Sequence, residues 1–273
     1  MEQTFQTSGR TSLYVEIGSG HVDVRATEED RVVVRVDGDD AEDVTVEQRG
    51  DRVVVIGPQR RTGFFSSSRG LDVQVSLPHD SDLTTKLGSA DLVVSGAIGT
   101  ASLKTGSGSV RVGAANGEVQ VESGSGDISI DLVAGDLRAK AGSGDVMVQE
   151  LGGDASVSTG SGDVEIDHAS GDVQVKTGSG SLRVRRPEAD VALSTASGDL
   201  TVDLMGAGEL AAKNVSGDIR VGVPSGLPVW TDISTLSGSV RSNLEGAGQP
   251  GEGQAFLELR AKTVSGDIYL DQR

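Results

Sequence analysis

The chain contains no cysteine, and its 273 residues include only one tryptophan, two tyrosines and four phenylalanines. Without cysteine there is neither a disulfide scaffold nor a thiolate metal site. With so few aromatic rings, any core must be thin and aliphatic. No run approaches the eighteen or so apolar residues that a membrane-spanning helix needs. Basic residues are outnumbered 24 to 41, for a formal charge of −17, and no basic block stands out. That balance argues against nucleic acid as a partner. The first ten residues, MEQTFQTSGR, lack a basic segment followed by an apolar one, so no secretory signal is visible. The expected location is therefore cytoplasmic, with the surface reached only by a non-classical route.

Glycine, by contrast, is abundant at 39 residues. It recurs in the phrase Ser-Gly-Asp/Ser followed by an aliphatic residue. The serines Ser107, Ser125, Ser143, Ser161, Ser179 and Ser197 are spaced 18 apart, and later copies start at Ser216, Ser237 and Ser265. A nine-residue subrepeat runs through Asp91, Thr100, Ser109, Glu118, Asp127, Asp136, Asp145, Asp154, Asp163, Asp172, Ser181, Asp190 and Asp199. After most of these comes an apolar-x-apolar alternation, the period of a strand with one buried face. No segment shows the 3.6-residue period of a helix.

These features predict an all-β fold: a single-stack parallel β-solenoid, or β-helix, with 18-residue coils made of two nine-residue units. The chain reads as one domain, 1–273, of roughly ten coils. Residues 81–273 form the regular stack with late insertions. Residues 1–80 are an irregular β-rich N-terminal segment that caps it, with strands near 13–17, 22–26, 31–36, 44–48, 52–56 and 71–77. Glycine at the corners is expected to supply backbone angles closed to other residues. The closing VSGDIYLDQR reads as a blunted end.

Several outward series follow from the repeat. Asp127, Asp145, Asp163 and Asp199 fall at equivalent corners, where a solvated aspartate can bond a corner N–H. The alternative is a calcium-responsive β-roll, although that pattern needs G-G-x-G-x-D. Lys86, Lys104, Lys140, Lys176, Lys213 and Lys262 should line one outward edge and partly balance the aspartates. Thr105, Ser123, Ala141, Thr159, Thr177 and Thr195 should turn inward. His21, His79 and His168 lack metal spacing, and no nucleophile elbow or phosphate-binding loop is present. No catalytic, cofactor or metal site is assigned.

Contact residues are sought where arginine and aromatic side chains gather. The segment PQRRTGFFSSSRG, 58–70, supplies Arg60, Arg61, Phe64, Phe65 and Arg69 as the candidate partner contact. Trp230, in GLPVWTD, is expected to pack over a widening coil. Residues 246–254 read as a second insertion, between coils.

The opening TSLYVEIGSGHVDVRATEEDRVVVRV, followed by repeated TGSGDVxV, resembles the bacterial β-strand-repeat family labelled putative adhesin, a domain of unknown function. The resemblance covers essentially the whole chain. It implies a β-solenoid with no established activity and no catalytic residues to carry over. The label also implies a surface location, from which this chain departs in showing no signal, anchor or sorting segment. The combined expectation is a non-enzymatic binding or adhesion-like scaffold without cofactor. Its partner would be an unidentified protein or a second copy, not nucleic acid and not by membrane insertion. A self-assembling cytoskeletal-type scaffold is the runner-up.

Overall fold

Alternation of aliphatic and polar residues over five to eight positions, broken by Ser-Gly corners, produces strand after strand in the computed structural model. The model describes residues 1–58, 70–245, 251 and 253–273. Contacts divide the chain into two units, Met1–Gly135 and Asp136–Arg273. The fold is an all-β solenoid repeat with long parallel sheets.

The first unit contains β1 (Glu2–Gln6), β2 (Ser12–Ile17), β3 (Gly20–Thr27), β4 (Arg31–Asp37), β5 (Thr45–Arg49), β6 (Arg52–Ile56), β7 (Leu71–Pro78), β8 (Asp82–Leu87), β9 (Asp91–Ile98), β10 (Ala101–Thr105), β11 (Val110–Ala115), β12 (Val119–Ser123) and β13 (Ile128–Val133). One of its sheets runs β1-β4-β7-β3-β9-β11-β13 and the other β5-β6-β2-β8-β10-β12. The regular pairs are parallel and offset by 18 residues, as in Ala101 beside Val119 and Val110 beside Ile128. At the outer edge the pairing changes to antiparallel, with β1 on β4, β4 on β7 and β5 on β6. Strand β1 was not foreseen from its sequence, because Glu2, Thr4 and Gln6 alternate with only one large apolar residue, Phe5.

The second unit contains β14 (Leu137–Ala141), β15 (Val146–Leu151), β16 (Ala155–Thr159), β17 (Val164–Ala169), β18 (Val173–Ser179), β19 (Leu182–Pro187), β20 (Val191–Ser197), β21 (Leu200–Val202), β22 (Gly208–Lys213), β23 (Ile219–Val223), β24 (Val229–Ser237), β25 (Val240–Ser242), β26 (Leu257–Ser265) and β27 (Ile268–Gln272). Its sheets run β14-β16-β18-β20-β22-β26-β24 and β15-β17-β19-β21-β23-β27-β25, and every pair with a stated register is parallel.

Stacking order departs from chain order at the outer edge of each unit. In the second unit Ser265 bridges Ser216 and stands beside Ser237, so the last coil in sequence lies between the coils of Ser216 and Ser237. The chain therefore does not finish on the outermost coil, as its closing strand suggested. In the first unit β2 and β3 likewise lie between β6 and β7 on one side and β8 and β9 on the other.

Inward positions are aliphatic almost throughout. Val146, Val148, Val164, Ile166, Leu182 and Val184 are all buried, as are their counterparts in the facing sheet. Burying each such side chain contributes roughly 1.5–3 kcal/mol. The expected inward hydroxyl column is present: Thr105, Ser123, Thr159, Thr177 and Thr195 are buried. The Oγ atoms of Thr105, Ser123 and Thr159 accept from the corner N–H three residues on, at 3.0 Å for Gly108, 2.9 Å for Gly126 and 3.1 Å for Gly162, whereas Thr177 and Thr195 donate to the carbonyls of Gly162 and Gly180 one coil back. The first three hydroxyls thus pin the turn that follows their strand.

The corner glycines of the regular coils are needed for space rather than for backbone angle. Gly126 does not have positive φ. A Cβ there would overlap the carbonyl of Gly108, one coil back. Close approach of successive coils, rather than a left-handed backbone, excludes a side chain. At other corners, early and late, such as Gly20 and Gly217 with φ +126° at both, the backbone itself requires glycine.

Candidate functional site

In the second unit, the strands β14, β16, β18, β20 and β22 present one residue in two to solvent. Between their corners these outward residues are Arg138 and Lys140, Ser156 and Ser158, Gln174 and Lys176, Ala192 and Ser194, and Ala211 and Lys213. Four are cations, in a chain of net charge −17; the one acid within these strands, Glu209 on β22, is paired with Arg260 at 2.7 Å. Register sets them in straight columns, the outermost reading Lys140, Ser158, Lys176, Ser194, Lys213. Lys176 and Lys213 form no ion pair among the described residues. Serine between Lys140, Lys176 and Lys213 doubles their separation to about 9.6 Å, while Lys213 stands directly beside Lys262 of β26, which Asp232 neutralises. Mutual repulsion then falls to about 0.4 kcal/mol in water, which a stable sheet readily tolerates.

The lysines do not balance the corner aspartates, as was expected, because they stand in mid-strand. In the first unit Lys104 pairs with Glu122 at 3.0 Å, and in the second Lys262 pairs with Asp232 at 2.8 Å.

The aspartates have another partner. Asp145 Oδ1 accepts from the backbone N–H of Asp163 at 2.8 Å, and Asp163 Oδ1 from that of Ser181 at 2.7 Å. Asp199 serves Asp218 and Asp218 serves Asp267 in the same way, at 2.8 and 2.9 Å. The nine-residue subrepeat builds a second such column from Asp136, Asp154, Asp172 and Asp190. A carboxylate–amide hydrogen bond contributes about 1.5–3 kcal/mol, more than the roughly 1 kcal/mol repulsion between neighbouring carboxylates. The corner bond suggested by the sequence therefore exists, but it reaches across coils rather than within one corner.

Across the opposite sheet of the second unit lies a mixed-charge face. His168 Nδ1 and Nε2 lie 2.8 Å from Glu150 and 3.0 Å from Glu188, and Arg186 stands beside it on β19. Hydrogen bonds donated to both carboxylates raise the His168 pKa above its usual value, and the same contact lowers that of Glu188. Arg185 bonds Glu165, and Arg220 and Arg241 flank the Tyr269 ring at 5.1 and 5.5 Å.

Of the candidate contact residues, Arg60, Arg61, Phe64, Phe65 and Arg69 lie outside the described residues. Trp230 is described, and it is exposed rather than packed. It belongs to the outward set of β24, whose inward set is Val229, Thr231 and Ile233. The lysine edge expected from the 18-residue period is present; Arg138, which stands beside Ser156 in the same ladder, was not part of that expectation.

A family model matches residues 11–131 and again 114–271, described as Toastrack DUF4097. The chain belongs to the Toastrack DUF4097 family. The bacterial putative-adhesin resemblance is thereby supported, and the Toastrack domain carries no assigned function. Among solved structures, the Toastrack chain is similar to a putative adhesin from Bacteroides fragilis, at 10% identity and TM-score 0.44, over 98% of this chain and 96% of that one. A putative adhesin from Parabacteroides distasonis gives 11% identity and TM-score 0.42, over 99% and 96%. A putative lipid binding protein from the same species gives 12% identity and TM-score 0.30, over 100% and 96%. No curated protein matches the sequence.

Proposed function

We propose that this protein is a non-enzymatic binding scaffold whose contact face is the outer surface of β14, β16, β18, β20 and β22. The solenoid is read as a stack of 18-residue coils, each of two nine-residue units, that fixes the spacing of outward groups. The observation that carries the reading is the net cationic face, held in register columns on an otherwise acidic chain, its one acid within the strands, Glu209, being paired with Arg260. Such a face fits an acidic protein segment. Lysines about 9.6 Å apart act as separate charges, since that spacing exceeds the screening length of about 8 Å at physiological salt. Each therefore contributes its own salt-sensitive attraction.

Immobilised polyglutamate tests this reading. Retention should fall with added salt and should be lost in a Lys176→Glu/Lys213→Glu variant of unchanged melting temperature. Equal retention of the two proteins would refute it. Parallel deletion of residues 60–69 examines the contact assigned to Arg60, Arg61, Phe64, Phe65 and Arg69; loss of retention there alone would move the site to that segment.

A further inference from the structure

The outer edge of the second unit is open, whereas that of the first is closed. In the first unit, antiparallel β1 and β5 end the two sheets with charged or amide side chains at Glu2, Gln3, Gln6, Glu47, Gln48 and Arg49. Such residues blunt an edge against further pairing. In the second unit, β24 and β25 end the sheets in the parallel sense, with no strand beyond them among the described residues.

That edge also gathers exposed apolar side chains, among them the most exposed one of the described residues, Leu236. Leu236 is 83% exposed, Trp230 53% and Val240 47%. The corner position held by Gly160 and Gly178 in earlier coils becomes Ala196, Val215, Val264 and finally Leu236. A ridge of growing side chains thus leads to the open edge. Beneath β24 a cavity of about 480 Å³, lined by Val223, Leu227, Val229, Ile233, Val240 and Leu270, leaves the end of the core partly uncovered.

The strand is built for its own copy. Trp230 and Leu236 lie three residues either side of Ile233, on the same outward face. A two-fold antiparallel pairing centred on Ile233 sets Trp230 of each copy against Leu236 of the other. It also sets Asp232 against Ser234, so no like charges meet. Charge allows the approach: residues 224–245 carry Asp232, Glu245 and Arg241, and Asp232 is already paired with Lys262 at 2.8 Å. We propose that two copies of this chain associate through their β24 edges, antiparallel and centred on Ile233, closing both core ends at once. Because the pairing is two-fold, it stops at two copies. Open-ended polymerisation would need β24 to meet the blunted edges of β1 or β5.

The sole tryptophan lies in the contact, and the native chain has no cysteine, so the test is direct. Light scattering with the full chain at about 10–100 μM should give twice the 28.0 kDa chain mass. Tryptophan emission should shift to the blue as concentration rises. Leu236→Lys, a change at an exposed site, should give the single-chain mass with unaltered circular dichroism. Under oxidation Ile233→Cys should form a covalent dimer. Leu236→Cys should not, since its two copies would lie about 20 Å apart. A single-chain mass at every concentration, mass that grows without limit, or a dimer that survives Leu236→Lys would each overturn the proposal.

Discussion

The carboxylate of Asp163 accepts the backbone N–H of Ser181 at 2.7 Å, joining the same corner of two successive coils. The bond explains why the repeat keeps aspartate at a position where stacked like charges repel. The acceptor is required; the charge is tolerated. Asp163→Ala leaves that N–H without its partner and should cost about 1–2 kcal/mol. Asp163→Asn keeps an acceptor oxygen and relieves repulsion, so it should stay within about 0.5 kcal/mol of the native protein. Thermal melts of the two variants check this ordering.

Inward and outward neighbours on β17 should respond very differently. Val164 is 2% exposed and stacks between Val146 and Leu182. Val164→Asp should therefore destabilise by several kcal/mol, by placing an unpaired charge in the aliphatic column. Glu165 faces outward but is not idle: it bonds Arg185 and stands beside Arg183 in the ladder. Glu165→Lys exchanges attraction for repulsion and should cost about 0.5–1 kcal/mol. Denaturant midpoints of the two variants provide the comparison.

His168 should make stability depend on pH. Its folded pKa is raised by Glu150 and Glu188. The imidazolium contribution is therefore fully present below the ordinary pKa of 6.5 and is lost as pH rises through the raised folded value. The native protein should melt above His168→Gln near pH 5.5, and the two should converge near pH 8.5. A constant difference across that range would remove His168 as its cause.

The 18-residue register was legible because serine, glycine, aspartate and alternating aliphatic residues all repeat together, and each has a local physical role. Order at the edges was not legible. Nothing in the sequence around Ser237 and Ser265 shows that the later coil slips beneath the earlier one, since both carry the same phrase and parallel ladders accept either sequence. Trp230 was misplaced for a related reason: only the partner strand reveals which alternate set of β24 faces inward. The lysine edge was legible from the 18-residue period, its neighbour Arg138 was not, and the partner contact assigned to 60–69 falls outside the described residues.

The binding face exists only if outward residues 18 apart stand side by side, and engineered disulfides test that most directly. Ser156 and Gln174 are ladder partners on β16 and β18. Their Cα atoms should be about 4.8 Å apart, within disulfide reach, whereas Ser156 and Lys176 would be about 8 Å apart and beyond it. In the cysteine-free background, oxidation should close Ser156→Cys/Gln174→Cys and leave Ser156→Cys/Lys176→Cys reduced. Preferential closure of the second pair would contradict the register and dissolve the lysine columns with it.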